Sequence, residues 1–127
     1  MKLNYELSPD NIELLGLRPQ EEIYYCLPMD IDEEGNLREN SYFVMTNQRI
    51  LLLKEGNLGA AYEIQDYDCV KAEPMVGCGI IYLEREEIEL LLGRYSAKHL
   101  TRYSYMNRGM EILKNVLRIM NSFGVSQ

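Results

Sequence analysis

The sequence has no tryptophan, one histidine and only three cysteines among 127 residues. The cysteines, Cys26, Cys69 and Cys78, are irregularly spaced, and the closed Cys/His spacing of a zinc site is missing. An odd number of cysteines also argues against a disulfide framework. We therefore expect three free thiols in a reducing compartment and neither a metal nor another cofactor.

Long apolar runs are missing as well. The N-terminal segment MKLNYELSPDN has no apolar core of the kind that a signal peptide needs, and no apolar run is long enough to cross a bilayer. A length of 127 residues with 46% hydrophobic residues is typical of one folded domain. The sequence therefore predicts a single soluble, cytoplasmic domain over residues 1–127.

Charge is distributed unevenly along the chain. Residues 1–93 hold 7 Lys/Arg and 19 Asp/Glu, a balance of −12, whereas residues 94–127 hold 6 Lys/Arg and one acid, a balance of +5. An acidic body repels nucleic acid and anionic membranes alike. We therefore expect no nucleic-acid partner, and only the basic C-terminal part could attract an anionic surface.

Most of the chain has the apolar pattern of short strands bounded by turn residues. Asn47-Gln48 separates two apolar runs at the spacing of a tight hairpin, and residues 55–59 predict another turn. Because no helical pattern lies between the strands, the sheets should be antiparallel. The predicted strands cover residues 21–29, 41–46, 49–54, 60–65, 67–74, 79–84 and 88–95.

Helical patterns are confined to the two ends of this strand-rich region. Ser8 suits the cap and Pro9 the first turn of a short helix over residues 9–15. From about 97 to 121, apolar residues recur at steps of three and four and predict an amphipathic helix. Five side chains of this helix are predicted to face the sheet and to cover the open end of the barrel that the strands would form: Leu100, Tyr103, Met110, Leu113 and Leu117.

About seven short antiparallel strands followed by one amphipathic helix is the plan of a pleckstrin-homology-like (PH-like) split barrel, a mainly β fold. The segment YFVMTNQRILLL resembles the signature of bacterial PH-like and GRAM-like domains. The resemblance implies that this segment is a hairpin of the barrel. It also implies structural roles for Thr46, Asn47 and Arg49, which would bond the turn and the neighbouring backbone.

A longer resemblance covers most of the chain. The stretches LLGLRPQEEIYYCLPMDIDEEGNLRENSYFVMTNQRILLL, EIQDYDCVKAEPMVGCGIIYLE and RYSAKHLTRY look like the N-terminal extension of certain bacterial ABC transporters. This resemblance implies a PH-like domain at the inner face of the membrane, whose partner is the remainder of a transporter. The chain itself contains no G-x-x-x-x-G-K-[ST] loop, so transport and ATP hydrolysis would belong to other parts.

Two patterns that suggest chemistry have simpler interpretations. Asp30, Asp32 and Gly35 occupy positions 1, 3 and 6 of a calcium loop, but position 12 is Ser41 rather than glutamate, so we expect a solvated hairpin loop. His99 lacks a nucleophile placed by any motif and is interpreted as a surface histidine. The sequence therefore predicts no catalytic residue and no enzyme activity.

The basic C-terminal helix is the one ambiguous feature. Lys98, Arg102 and Arg108 could form a solvated face, contact anionic lipid or an acidic partner, or precede a membrane span. We interpret the chain as a non-enzymatic docking or regulatory module of an ABC-type transporter. The alternative is a free-standing PH-like domain that binds anionic lipid or a protein partner. Binding to lipid by the isolated domain is not expected.

Overall fold

The computed structural model describes residues 7–99, 103 and 106–122. These residues form two helices, α1 and α2, and seven antiparallel strands in two sheets. The predicted mainly β fold is confirmed, and the arrangement is compatible with a PH-like split barrel. The elements are α1 (Pro9–Leu14), β1 (Ile23–Pro28), β2 (Tyr42–Thr46), β3 (Arg49–Lys54), β4 (Asn57–Glu63), β5 (Cys69–Met75), β6 (Cys78–Arg85), β7 (Ile88–Ser96) and α2 (Met106–Ser122).

Each sheet is a meander in which neighbours along the chain are neighbours in space. The first sheet has the order β1-β2-β3-β4 and the second has the order β5-β6-β7. A short 3₁₀ helix, Ile64–Asp66, connects β4 to β5. On the opposite side, Ile31 in the β1–β2 loop forms an isolated antiparallel bridge with Arg94 of β7. The two sheets are therefore joined at both sides.

The central strands β2 and β3 are apolar at almost every position because both of their faces are covered. One face contributes Phe43, Met45, Ile50 and Leu52 to the main core, which also contains residues of β6, β7 and α2. The other face contributes Val44, Leu51 and Leu53 to a second cluster, which includes Leu15 beside α1. Burial on both faces replaces the usual alternation of apolar and polar residues by a continuous apolar run.

The N-terminal helix begins as its sequence predicts. Ser8 is the N-cap, and its hydroxyl oxygen accepts a hydrogen bond from the Asn11 N–H at 3.2 Å. Pro9 occupies the first helical position, where a missing N–H costs nothing. The helix ends at Leu14, one residue earlier than predicted.

The turn between β3 and β4 is shorter than the sequence suggested. We predicted a turn over residues 55–59, but Lys54 pairs directly with Asn57, and only Glu55 and Gly56 form the turn. Both residues have positive φ, 50° and 84°, which is the conformation of a type I′ hairpin turn. The predicted start of β4 at residue 60 is therefore wrong, because a two-residue turn lets pairing resume at Asn57.

The C-terminal region is not one continuous helix from residue 97. Ala97–His99 forms a 3₁₀ helix, and α2 begins at Met106. Residues 100–102, 104 and 105 lie outside the described residues, and so does the prediction for Leu100. Of the other side chains predicted to face the sheet, Tyr103, Met110 and Leu113 are buried and Leu117 packs partly against the core.

Tyr103 connects the C-terminal region to both sheets. Its ring stacks on Tyr95 of β7 with a centroid separation of 3.8 Å and lies 6.3 Å from the ring of Phe43 in β2. Its hydroxyl donates a hydrogen bond to the carbonyl of Pro28 at the end of β1. Farther along, α2 approaches β1 closely, because a Cβ on Gly109 would lie 2.5 Å from the ring of Tyr25. A larger side chain at this position would therefore displace the tyrosine.

The packing of α2 predicts a sharp difference between its faces. Leu113→Ala should lower the free energy of unfolding by about 2–5 kcal/mol, because it removes a buried side chain and leaves a cavity. Ile112→Ala is the matched control, since Ile112 is the neighbouring residue and is exposed. Urea denaturation of both variants measures the difference. Equal, small losses would show that α2 does not close the core.

Candidate functional site

A buried carboxylate, Glu21, lies at the β2–β3 turn. Its side chain is inaccessible to solvent, and it forms an ion pair with Arg49 at 2.7 Å. The Thr46 hydroxyl donates to the same carboxylate at 2.6 Å, and the Arg18 N–H donates to it at 2.8 Å. Arg49 also donates to the carbonyl of Gly16 at 3.2 Å. The carboxylate therefore joins the chain before β1 to the ends of β2 and β3.

Thr46 organises the turn through its single hydroxyl group. The oxygen accepts hydrogen bonds from the N–H groups of Gln48 at 3.0 Å and Arg49 at 2.8 Å. Because a hydroxyl carries one proton, the short contact with Glu21 takes it, and the Arg49 carbonyl at 3.2 Å is a secondary neighbour. Thr46 is fully buried, so each of these bonds replaces water.

Asn47 holds the turn to the chain that precedes β1. Its amide oxygen accepts from the Glu22 N–H at 2.9 Å, and its amide nitrogen donates to the Gln20 carbonyl at 3.1 Å. The Asn47 N–H also donates to the Glu22 carbonyl at 3.0 Å. The structure thus brings Thr46, Asn47 and Arg49 together around one turn. Sequence reasoning missed their partner, Glu21, because nothing in the local pattern distinguishes it from the exposed acids nearby.

The ionisation of Glu21 is coupled to this network. Burial alone opposes ionisation, but hydrogen bonds from Arg49, the Arg18 N–H and Thr46 outweigh it, so the pKa of Glu21 lies below its ordinary value. Breaking such a pair by removing one partner leaves a buried charge without compensation. The network is therefore a structural element rather than a site with a free reactive group.

Asp30 forms a second polar cluster, at the end of β7. Its carboxylate accepts hydrogen bonds from the Ser96 N–H at 2.7 Å and the Ser96 hydroxyl at 2.8 Å, and it lies 3.4 Å from His99 Nε2. Burial opposes ionisation, but the bonds from Ser96 outweigh it and lower the pKa of Asp30. The carboxylate, not the imidazole, contacts the serine, so the geometry differs from that of a catalytic triad.

Two interpretations of this region from sequence are corrected or refined by the geometry. His99 is not a freely exposed surface histidine, because only 14% of its side chain is accessible. In the loop that resembles a calcium site, one oxygen of Asp32 accepts from the N–H groups of Glu34 and Asn36, both at 2.9 Å. Among the described residues, no group of three or more His, Cys, Asp or Glu side chains is placed to hold a metal ion.

The predicted basic interaction surface is only partly within the described residues. Lys98 is exposed on the 3₁₀ helix Ala97–His99, and Arg108 is exposed on α2. Arg102 lies outside the described residues. Farther along α2, Lys114 donates to the carbonyls of Tyr67 and Asp68, so this cation ties the helix to the start of β5. Lys98 and Arg108 thus remain available for contacts with a partner.

A different group of cations, which the sequence did not single out, meets beside the β1–β2 loop. Arg38, Lys54 and Arg94 line one cavity of about 80 Å³, together with Asp32 and Glu33. Arg38 donates to the Met29 carbonyl at 3.4 Å, and Arg94 donates to the Glu33 carbonyl at 3.0 Å. The Nε atom of Arg38 is buried and has no hydrogen-bond partner among the described residues. Three distant segments contribute these residues, so no local motif could have identified the cavity.

The three cysteine side chains lie in different environments. None of the three cysteines, which all lie within the described residues, forms a disulfide; Cys26 is buried, whereas Cys69 donates to the Glu84 carboxylate at 3.3 Å. Burial, followed by the neighbouring Glu84, raises the pKa of the Cys69 thiol, which disfavours a reactive thiolate.

No helix among residues 7–99, 103 and 106–122 is long and apolar enough to cross a membrane.

Comparison with known protein families gives a match to part of the chain. A family model described as a bacterial PH domain matches residues 17–72. This range contains the whole first sheet, the Glu21 network and the beginning of β5, and it supports a PH-like domain. No curated protein and no solved structure matches the chain.

The Glu21 network predicts a specific dependence of stability on pH. The pKa of Glu21 is lower in the folded state than in the unfolded state, where it is about 4.5. The contribution of Glu21 to the free energy of unfolding is therefore fully present above the unfolded-state pKa and is lost as pH falls through the folded-state pKa. Wild-type protein should therefore lose stability below about pH 4.5 more steeply than Glu21→Gln. Urea denaturation at a series of pH values between 7 and 3 measures how steeply the free energy of unfolding falls with pH in each protein.

The adjacent, exposed Glu22 provides the matched control for this experiment. Glu22→Gln should retain the wild-type slope, because the Glu22 contacts at the turn are made by its backbone. Parallel curves for wild type and Glu21→Gln would contradict the coupling between this carboxylate and folding.

Proposed function

We propose that this chain is a non-enzymatic PH-like docking or regulatory module that acts by binding a protein partner. The match to the bacterial PH domain over residues 17–72 is the observation that carries the proposal. PH-like barrels use a rigid scaffold to present loops and edges, and the clusters described above serve that scaffold. The Glu21 and Asp30 carboxylates fix backbone segments in place rather than point into a cavity.

The proposed setting is the cytoplasmic side of a bacterial ABC-type transporter, with this domain preceding the membrane segment. The resemblance of the chain to the N-terminal extensions of such transporters supports this setting. The exposed cations Lys98 and Arg108 near the C-terminal end fit the excess of Lys and Arg that flanks membrane spans on the cytoplasmic side. In this setting the domain would regulate or assemble the transporter, and other parts would perform transport.

The coding sequence downstream of codon 127 tests the transporter setting. We expect an open reading frame that encodes membrane-spanning segments of about 20 apolar residues and a G-x-x-x-x-G-K-[ST] loop. A stop codon directly after codon 127 would contradict the fused arrangement. The docking role itself would then have to be exercised by a free-standing domain.

A second candidate function is binding of an anionic lipid headgroup, with the domain free-standing. The cavity with Arg38, Lys54 and Arg94 favours it, because the buried Nε of Arg38 has no partner in the part of the chain that the structure describes and the volume suits one small anion. Against it, Asp32 and Glu33 line the same cavity, and Arg38 and Arg94 already donate to backbone carbonyls. The acidic body adds a long-range repulsion.

Sedimentation with anionic vesicles, including phosphoinositides, separates the two functions. The docking proposal predicts no binding of the purified domain at physiological salt, because attraction by exposed charges decays within about 8 Å. Sedimentation that is abolished by Arg38→Ala with Lys54→Ala would establish the cavity as a headgroup site. Sedimentation abolished instead by Lys98→Glu with Arg102→Glu would establish the basic C-terminal surface as the lipid contact. Arg118→Ala, on the exposed face of α2, serves as the control.

A further inference from the structure

Strand β7 begins as an open edge of the second sheet. Over Ile88–Leu91 it pairs, among the strands of the described residues, with β6 alone, through a hairpin in which Arg85 is opposite Ile88. In a two-residue hairpin this pair is hydrogen-bonded, so the N–H and C=O groups of Glu89 and Leu91 point away from β6. Within the described residues, the bridge between Ile31 and Arg94 lies farther along β7. The first half of β7 therefore offers backbone hydrogen-bonding groups to another strand.

The same segment exposes apolar side chains on both faces of the sheet. Ile88 is 72% exposed, Leu90 38% and Leu91 55%. Leu90 is opposite the buried Leu83, and Leu91 is opposite Tyr82, so the two leucines lie on different faces. An exposed apolar edge strand invites pairing with another chain unless the protein blocks it. An added strand here would cover apolar surface and satisfy the free backbone groups together.

The charge at the turn that begins this edge indicates which side chains fit beside it, while at the other end of the edge Leu91 lines the cavity with Arg38, Lys54 and Arg94. Residues 84–89 contain four glutamates and one arginine, and Glu86, Glu87 and Glu89 are exposed. Glu86 and Glu87 have positive φ values of 52° and 68°, which fix them in the turn at the end of the edge. A second copy of this edge would bring like charges together, whereas lysine or arginine side chains would complement them.

We propose that the edge of β7 from Ile88 to Leu91 accepts an extended segment of a protein partner, in which apolar residues alternate with lysine or arginine, as an added strand. This inference rests on the proposed docking function and assigns it a surface. Backbone hydrogen bonds to Glu89 and Leu91 would provide affinity. The apolar contacts and the glutamates would select the sequence. The exposed stripe of Ile112, Val116 and Ile119 on α2 offers apolar contacts but no backbone hydrogen bonds.

Three synthetic peptides of equal length test the proposal with the full chain. One alternates valine and lysine, one alternates valine and glutamate, and the third is the valine–lysine peptide N-methylated at every residue, so that neither of its edges can donate hydrogen bonds to a ladder. Two-dimensional amide NMR and hydrogen exchange follow the binding. We expect the valine–lysine peptide alone to shift the amides of residues 88–91 and to slow exchange at Glu89 and Leu91.

Matched variants distinguish the edge from other apolar surface. Leu91→Asn and, as a second position, Ile88→Asn should each weaken binding of the valine–lysine peptide by about tenfold or more, with circular dichroism unchanged. Val76→Asn should leave binding unchanged, since Val76 is also apolar and is more exposed than Ile88 or Leu91, but lies at the β5–β6 turn. Glu89→Gln should weaken binding and reduce its dependence on salt.

Several results would overturn the proposal. These are no binding, equal binding of the valine–glutamate peptide, full binding of the N-methylated peptide, shifts confined to α2, or dimers of the chain formed through β7. None of them bears on the coding sequence beyond codon 127, so the transporter setting stands or falls on its own test.

Discussion

The carboxylate of Glu21 is the interaction on which the architecture of the first sheet depends. It is removed from solvent, and Arg49, Thr46 and the Arg18 N–H reach it from two distant parts of the chain. A buried charge of this kind is tolerated only when its partners are all in place, because losing one leaves the others desolvated without compensation. The network thus fixes where the chain enters β1 relative to the β2–β3 turn.

That anchoring helps the central strands β2 and β3 to bury both of their faces. The segment from Gly16 to Glu22 is held at the turn by Arg49 and Asn47, and it connects to α1 and the cluster around Leu15. The second sheet and α2 cover the opposite face of β2 and β3. The side chains on this face belong to the main core. The exposed apolar residues Ile88, Leu90 and Leu91 lie on the second sheet, away from the Glu21 network. The edge of β7 and the cations of α2 are therefore available for binding without disturbing the anchor.

Local periodicity was enough to predict the strand-rich fold, the hairpin at Asn47 and the buried face of α2, because each depends on neighbours within one or two turns of chain. It placed the start of β4 three residues late, because Glu55-Gly56 lacks the Asn-Gly or Asp-Gly pair by which a type I′ turn is recognised in a sequence. It could not identify Glu21 as the partner of Arg49, or bring Arg38 beside Arg94, because those pairings are set by tertiary structure. The open edge of β7 was likewise invisible, since exposure of Leu90 and Leu91 depends on what the rest of the fold leaves uncovered.

A double-mutant cycle between Glu21→Gln and Thr46→Val tests the central claim, that the turn and the chain before β1 form one energetic unit. The account predicts that the two losses in free energy of unfolding at pH 7 are non-additive by at least about 0.5 kcal/mol, because the residues share a hydrogen bond of 2.6 Å. The pair Thr46→Val and Leu113→Ala, which share no hydrogen bond, should be additive within about 0.5 kcal/mol. Additivity in the first pair would contradict the account.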